Sequence, residues 1–267
     1  MTLLTFIIPV RHPDNSKNWP ALKSKLVQTM RSIANQRHGD WRCVIVANQG
    51  SDLPQMPEKF SVEWVQFPPN SRIERGNDPE EVFLDAFRWD KGRRVLAGML
   101  SARDSQFFMI VDDDDFVSSR LVEFVAKHPT ENGWIVNDGY IWDDGGRLLF
   151  ATNSFNDVCG TSLIIRADLY NLPADIQSAS PDWVKPMLGS HKRVVELLRR
   201  QNTPLSALPF SGAIYRVAQS GSHSGMGSFV RTHFLNRVVL LRPWLLLRNL
   251  SRLRFLSRTK KTEFSVH

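Results

Sequence analysis

Cysteine is nearly absent from this chain: Cys43 and Cys159 are the only two among 267 residues. Two thiols without metal-ligand spacing exclude a disulfide-built scaffold and a cysteine–zinc centre, and their apolar surroundings assign both to the core, in a reducing compartment. Long apolar runs are missing as well. No stretch of about 18 uninterrupted apolar residues occurs, which argues against a spanning helix. The opening MTLLTFIIPV has neither a basic flank nor a small-residue cleavage site, so it is expected to be a first strand and not a secretion signal. No internal repeat is present. Acid is scarce in one region only: residues 231–267 hold nine Lys and Arg against the single acid Glu263, a net of +8 where the whole chain carries +7. The body is therefore close to neutral, and a nucleic-acid partner, which is not expected, would have to rest on the tail alone.

What is present is a chain 42% hydrophobic and 10% aromatic, enough for one large α/β domain or two small ones. Near-continuous apolar runs mark strands at LLTFIIPV (3–10), CVIVA (43–47), VEWVQF (62–67) and FFMIV (107–111). Leu22, Leu26, Met30 and Ile33 fall at helical spacing, and residues 79–103 are patterned as a helix around Gly92. Buried strands alternating with amphipathic helices predict a mostly parallel sheet covered on both faces. Further on, LVEFVAKH (121–128) is expected to be helical, WIVNDGYIW (134–142) extended, and DDGG (143–146) a turn into RLLF, which makes Asp143 and Asp144 turn residues. GTSLIIRADLY predicts a strand entering a short helix, HKRVVELLRRQ (191–201) a helix, GAIYRVAQ a last strand and SGSHSGMGS (220–228) a glycine-rich loop.

The strand FFMIV runs directly into Asp112, Asp113, Asp114 and Asp115. Four adjacent carboxylates repel one another unless water or a cation stands among them. Ligands of a parallel α/β sheet bind beyond the carboxyl ends of its strands, and these aspartates follow the strand. A solvated acidic turn is the plain alternative. An EF-hand loop fails, because Val117 stands where the loop needs Gly and Phe116 where it needs a ligand. Carboxylates at i and i+2 suit a hard divalent cation that neutralises phosphate oxygens.

The blocks TFIIPV, WRCVIVANQGSD, KGRRVLAGMLSA and FFMIVDDDDF, in this order over roughly the first 125 residues, resemble the GT-A glycosyltransferases and the large family 2 within them. The resemblance implies a GT-A, Rossmann-like domain over 1–230 followed by a basic tail over 231–267. It implies a metal-dependent, inverting hexosyl transfer from a nucleotide-diphosphate sugar, most often a UDP-sugar, to a glycan or lipid-linked acceptor of bacterial surface polysaccharide. Asp112 and Asp114 match the positions that hold Mn2+ or Mg2+. Pro9, Val10, Arg11, Asn48, Asp112 and Asp113 match the donor pocket, although the family usually has Asp where this chain has Asn48. Val95 and Leu96 replace a common Arg-Asn pair, and Arg93 and Arg94 offer positive charge to the diphosphate in its place, or are solvated. The family's base, an Asp opening a helix eighteen residues before a Pro, counts back from Pro209 to His191. A ring at a helix N-terminus stays neutral near pH 7, and Ser190 can cap the helix; Asp182 is the rival base. His223 stands where a mobile loop supplies a third metal ligand, with Gly221, Gly225 and Gly227 around it.

From Trp244 to Arg258, a helical projection puts Leu245, Leu246, Leu250, Leu253 and Leu256 opposite Arg248, Arg252, Arg254 and Arg258, with Pro243 at the start. Such a helix suits an anionic membrane surface, giving a cytoplasmic protein held at the inner face; packing on the body or in a homodimer is the alternative. Two other functions compete: a nucleotidyl or phosphoryl transferase using the same aspartates, and a non-catalytic glycosyltransferase-like membrane partner.

Overall fold

The computed structural model describes residues 1–72, 79–217 and 228–266. In chain order the first half contains β1 (Thr2–Pro9), α1 (Trp19–Ala34), β2 (Trp41–Asn48), β3 (Phe60–Val65), α2 (Glu80–Leu100) and β4 (Ser105–Ile110). The apolar runs of the first half all became strands. β1 pairs in parallel with β2 on one side and β4 on the other, and β3 adds in parallel to β2. Because successive strand side chains alternate in direction, each run feeds both faces. Leu4, Phe6, Ile8, Cys43 and Ile45 pack with Leu22, Leu26, Met30 and Ile33 of α1. Ile7, Val44, Val46 and Phe108 pack with Val95, Leu96 and Met99 of α2 on the other side. Both helices thus clamp one sheet, as expected of a doubly covered parallel core.

β5 (Phe116–Val117), α3 (Leu121–Ala126), β6 (Gly133–Ile135), β7 (Gly139–Asp143), β8 (Leu148–Thr152), β9 (Leu163–Arg166), α4 (Pro181–Met187), α5 (His191–Arg200), β10 (Ser206–Ala207) and β11 (Ala213–Val217) follow. β9 runs antiparallel between β4 and β6, and β10 closes that edge, giving a seven-stranded, mostly parallel sheet in the order β10-β6-β9-β4-β1-β2-β3. The segment 134–142, expected as one extended piece, is two strands in different sheets. β6 stays in the large sheet while β7 crosses to a five-stranded sheet, where it lies between β8 and β11, with β5 beyond β11 and the strand Leu253–Phe255 beyond β8. The expected turn at 143–146 joins β7 to β8, with Gly145 at φ +80°.

The last residues form α6 (Phe229–His233), α7 (Arg237–Leu240), α8 (Pro243–Leu250), β12 (Leu253–Phe255) and α9 (Arg258–Phe264). The tail differs from the single long helix expected from its pattern. Pro243 does open a helix, but it stops at Leu250, and Leu253–Phe255 pairs antiparallel with β8. Phe264 and Val266 are buried against Phe116, Trp142, Leu149 and Ile214, while the Ser118 hydroxyl donates to Glu263 at 2.6 Å. Backbone pairing to β8 and this apolar patch together outweigh continued helix propensity. The tail is therefore built onto the second sheet over its final third.

Candidate active site

The turn after β4 fixes the aspartates. The N–H of Asp115 donates to the Asp112 carbonyl at 3.2 Å, folding the four residues back at the carboxyl end of the strand. Asp115 points inward. Its carboxylate accepts from the Thr161 hydroxyl at 2.6 Å, the Cys159 thiol at 3.1 Å and the Arg216 backbone N–H at 3.3 Å. Thr161 accepts in turn from the Asp112 N–H at 2.9 Å, so one hydroxyl ties the first and last aspartates together. Burial, with the Asp112 charge beside it, pushes the Asp115 carboxyl up to about 7. It is an anchor for the turn.

The other three face a cavity of about 550 Å³, whose lining includes Pro9, Arg11, Asp112, Asp113 and Asp114 together with Lys91 and His191. α2 supplies one wall as a stripe at helical spacing, Phe83, Leu84, Phe87, Lys91 and Arg94. Lys91 forms an ion pair with Asp112. Arg11 stands 3.8 Å from Asp113, which burial holds above the ordinary carboxylate range. Asp114 is held well above that range, first by burial and then by the carboxylates of Asp113, Asp115 and Asp112. It also borders a second, small cavity of about 30 Å³ with Asp113, Lys25 and Arg11.

His191 is the first residue of α5, whose N-cap is Ser190, as expected; the Ser190 hydroxyl accepts from the Arg193 N–H at 3.4 Å. Its Nε2 is buried and has no hydrogen-bond partner. Burial, reinforced by the Lys91 charge, pulls the ring down to about 4. The neutral state expected from the helix terminus is thus produced chiefly by desolvation. A neutral imidazole beside a cavity can accept a proton.

Several sequence-expected residues sit elsewhere. Asn48 does not line the cavity; its amide donates to the Phe67 carbonyl at 2.6 Å and its oxygen accepts from Arg94 at 2.6 Å. Its donor and acceptor are spent on bracing the sheet. Val10 is fully buried and its N–H pairs with the Val46 carbonyl at 2.9 Å. Arg93 bonds Asp90 and the Pro68 carbonyl and covers the Phe67 ring, and so is a packing residue and not a solvated one. Arg94 is buried on Asp90 and Asn48 yet forms part of the cavity wall. Asp182 is exposed on the first turn of α4 and does not line this cavity. His223 and its glycines lie outside the described residues. Lys91 and the Cys159–Thr161 anchor are additional site residues that no sequence motif marks. The stripe on α2 could have pointed to Lys91; nothing local links Thr161 to a carboxylate 46 residues away.

Among the described residues, no three His, Cys, Asp or Glu side chains form a ready-made metal site. What Asp112 and Asp114 offer is two hard oxygen donors, two residues apart, on one cavity. That chemistry fits a divalent cation whose remaining ligands come from water or a bound phosphate.

No protein-family model and no curated protein matches the chain. Solved structures do. One is residues 1–349 of S. aureus TarS, 12% identical with a TM-score of 0.46, covering 80% of this chain; this chain spans 60% of that one. A nucleotide-diphospho-sugar transferase from Desulfovibrio desulfuricans is 15% identical with a TM-score of 0.39, covering 94% and 96% of the two chains. Rv0371c of Mycobacterium tuberculosis in complex with manganese is 9% identical with a TM-score of 0.37, covering 81% and 89%.

Proposed function

We propose that this chain is a GT-A-type glycosyltransferase moving a sugar from a nucleotide-diphosphate donor, a UDP-sugar, to a glycan or lipid-linked acceptor of bacterial surface polysaccharide, with inversion. One observation carries the reading: one cavity is lined by carboxylates and cations together with a neutral imidazole whose Nε2 has no hydrogen-bond partner. About 550 Å³ is room for a nucleotide sugar, and Phe83, Leu84 and Phe87 give it an apolar flank.

Each residue has a role in this scheme. Asp112 and Asp114 would hold the divalent cation, Mn2+ or Mg2+, which would supply charge neutralisation for the departing diphosphate. Arg11 and Lys91 face the same anion. His191 Nε2 takes the proton from the acceptor hydroxyl as its oxygen bonds to the anomeric carbon, and the bond from that carbon to the diphosphate oxygen breaks with the electron pair leaving on the phosphate. Attack from the face opposite the leaving group inverts the centre.

The tail favours a peripheral place on an anionic membrane. Leu241, Trp244, Leu247 and Phe255 are each exposed, with Arg242, Arg248 and Arg254 interspersed among them in sequence and no acid between. No helix among the described residues is long and apolar enough to cross a membrane. The test of the donor reading is a melting screen of nucleotide sugars with and without Mn2+. The account expects metal-dependent stabilisation by one nucleoside class; a flat screen contradicts it. The nucleotidyl-transferase reading predicts pyrophosphate as product in place of nucleoside diphosphate, and a non-catalytic binder predicts neither.

A further inference from the structure

Asp112 already has a cation. Lys91, on the cavity-lining stripe of α2, places its ammonium on the Asp112 carboxylate. The pair is enclosed on the far side by Gly160, where a Cβ would come within 2.9 Å of both the Lys91 Nζ and an Asp112 oxygen. Glycine at this position leaves the pair room without displacing either side-chain tip. Of the other cations near the cluster, Arg94 is committed to Asp90 and Asn48, Arg216 donates to Gln28 at 2.9 Å, and Arg11 faces Asp113.

The Asp112 oxygen that bonds the ammonium cannot hold a divalent ion in the same place, because the two positive charges would repel at that distance. We propose that Lys91 and the divalent cation compete for Asp112, so that Lys91 is a built-in counter-ion which metal loading displaces into the cavity, where its ammonium is free to take a phosphate oxygen of the donor. The inference rests on the proposed function for its metal and its donor. Its consequence is linkage: breaking the Lys91–Asp112 pair is a cost that metal and nucleotide each bear alone and share when both bind, so each tightens the other. Lys91 is thereby a positioning residue for the metal and a contact residue for the donor.

The test is Mn2+ binding followed by electron paramagnetic resonance, and UDP binding by calorimetry, on wild type, Lys91→Met, Lys91→Arg and Asp114→Ala. Lys91→Met removes the competitor and is expected to bind Mn2+ alone about tenfold more tightly, from the usual worth of a charged hydrogen bond, while binding UDP alone more weakly. Lys91→Arg keeps the charge and is expected to bind Mn2+ no better than wild type. Melting temperatures establish that each variant is folded. Mn2+ affinity unchanged or weaker in Lys91→Met, while Asp114→Ala abolishes it, overturns the competition and leaves the metal site standing. No Mn2+ binding in wild type or Lys91→Met overturns both, and UDP binding in the same samples shows whether the nucleotide pocket survives.

Discussion

Gly189 packs directly on Arg88: a Cβ at position 189 would come within 2.8 Å of both the Arg88 Cα and its carbonyl carbon. This contact brings the elbow between α4 and α5 against α2, and His191 opens α5 two residues later. The imidazole therefore faces the Lys91 wall because backbone meets backbone at Gly189.

Gly189→Ala is expected to force that contact apart, costing about 1–3 kcal/mol of stability as overpacking does. Chemical denaturation measures the loss. Transfer should fall further than the lost folded fraction accounts for, since His191 moves with the elbow. A variant as stable and active as wild type would break the link between the packing and the base.

Thr161→Val removes the hydroxyl shared by Asp115 and the Asp112 N–H. A buried charged group losing its donor costs about 2 kcal/mol. The expected variant is less stable in denaturant and binds Mn2+ more weakly, because the turn that aims Asp112 is loosened. Unchanged metal affinity would reduce Thr161 to a stabiliser alone.

His191→Ala should leave UDP affinity near wild type while turnover drops about 10²- to 10⁴-fold, the usual worth of a general base. Its titration gives a second handle. With the folded ring near 4 against an ordinary 6.5, the unfolded chain takes up the proton first as pH falls. The stability contributed by neutral His191 is thus present above pH 6.5 and is lost progressively down to about 4. His191→Gln should lose less stability than wild type between these limits in denaturation curves. Parallel curves for both proteins would place the ring in a more polar setting.

The parallel core was legible in the sequence because β1, β2 and β4 are continuous apolar runs, and buried parallel strands leave that mark. The aspartate turn was legible for the same reason, since an apolar run fixes where its own carboxyl end lies. WIVNDGYIW was misread because alternation within a run of nine residues does not show that the chain changes sheets at Asn137 and Asp138. Asn48 was assigned to the pocket by position, yet its amide is consumed by Phe67 and Arg94, partners that only the folded chain brings near. The tail's leucines do sit at helical spacing, but β8 offers Leu253–Phe255 an open edge, and spacing carries no record of that edge.

The exposed apolar patch of the tail supports a membrane test. Wild type should sediment with vesicles containing phosphatidylglycerol, and Leu241→Ser with Trp244→Ser should cut binding about tenfold or more, each large apolar side chain contributing about 1.5–3 kcal/mol when buried. Melting should be nearly unchanged, because both side chains are exposed. Equal sedimentation of both proteins, or none by wild type, would assign the patch to a protein contact.

The most direct measurement is product analysis with a panel of nucleotide sugars and Mn2+, comparing wild type with Asp114→Ala. Wild type should release nucleoside diphosphate from at least one donor, without pyrophosphate, and Asp114→Ala should lower this release by a hundredfold or more, about 2.7 kcal/mol of lost transition-state stabilisation. Pyrophosphate release, or equal release by both proteins, would contradict the proposed transfer.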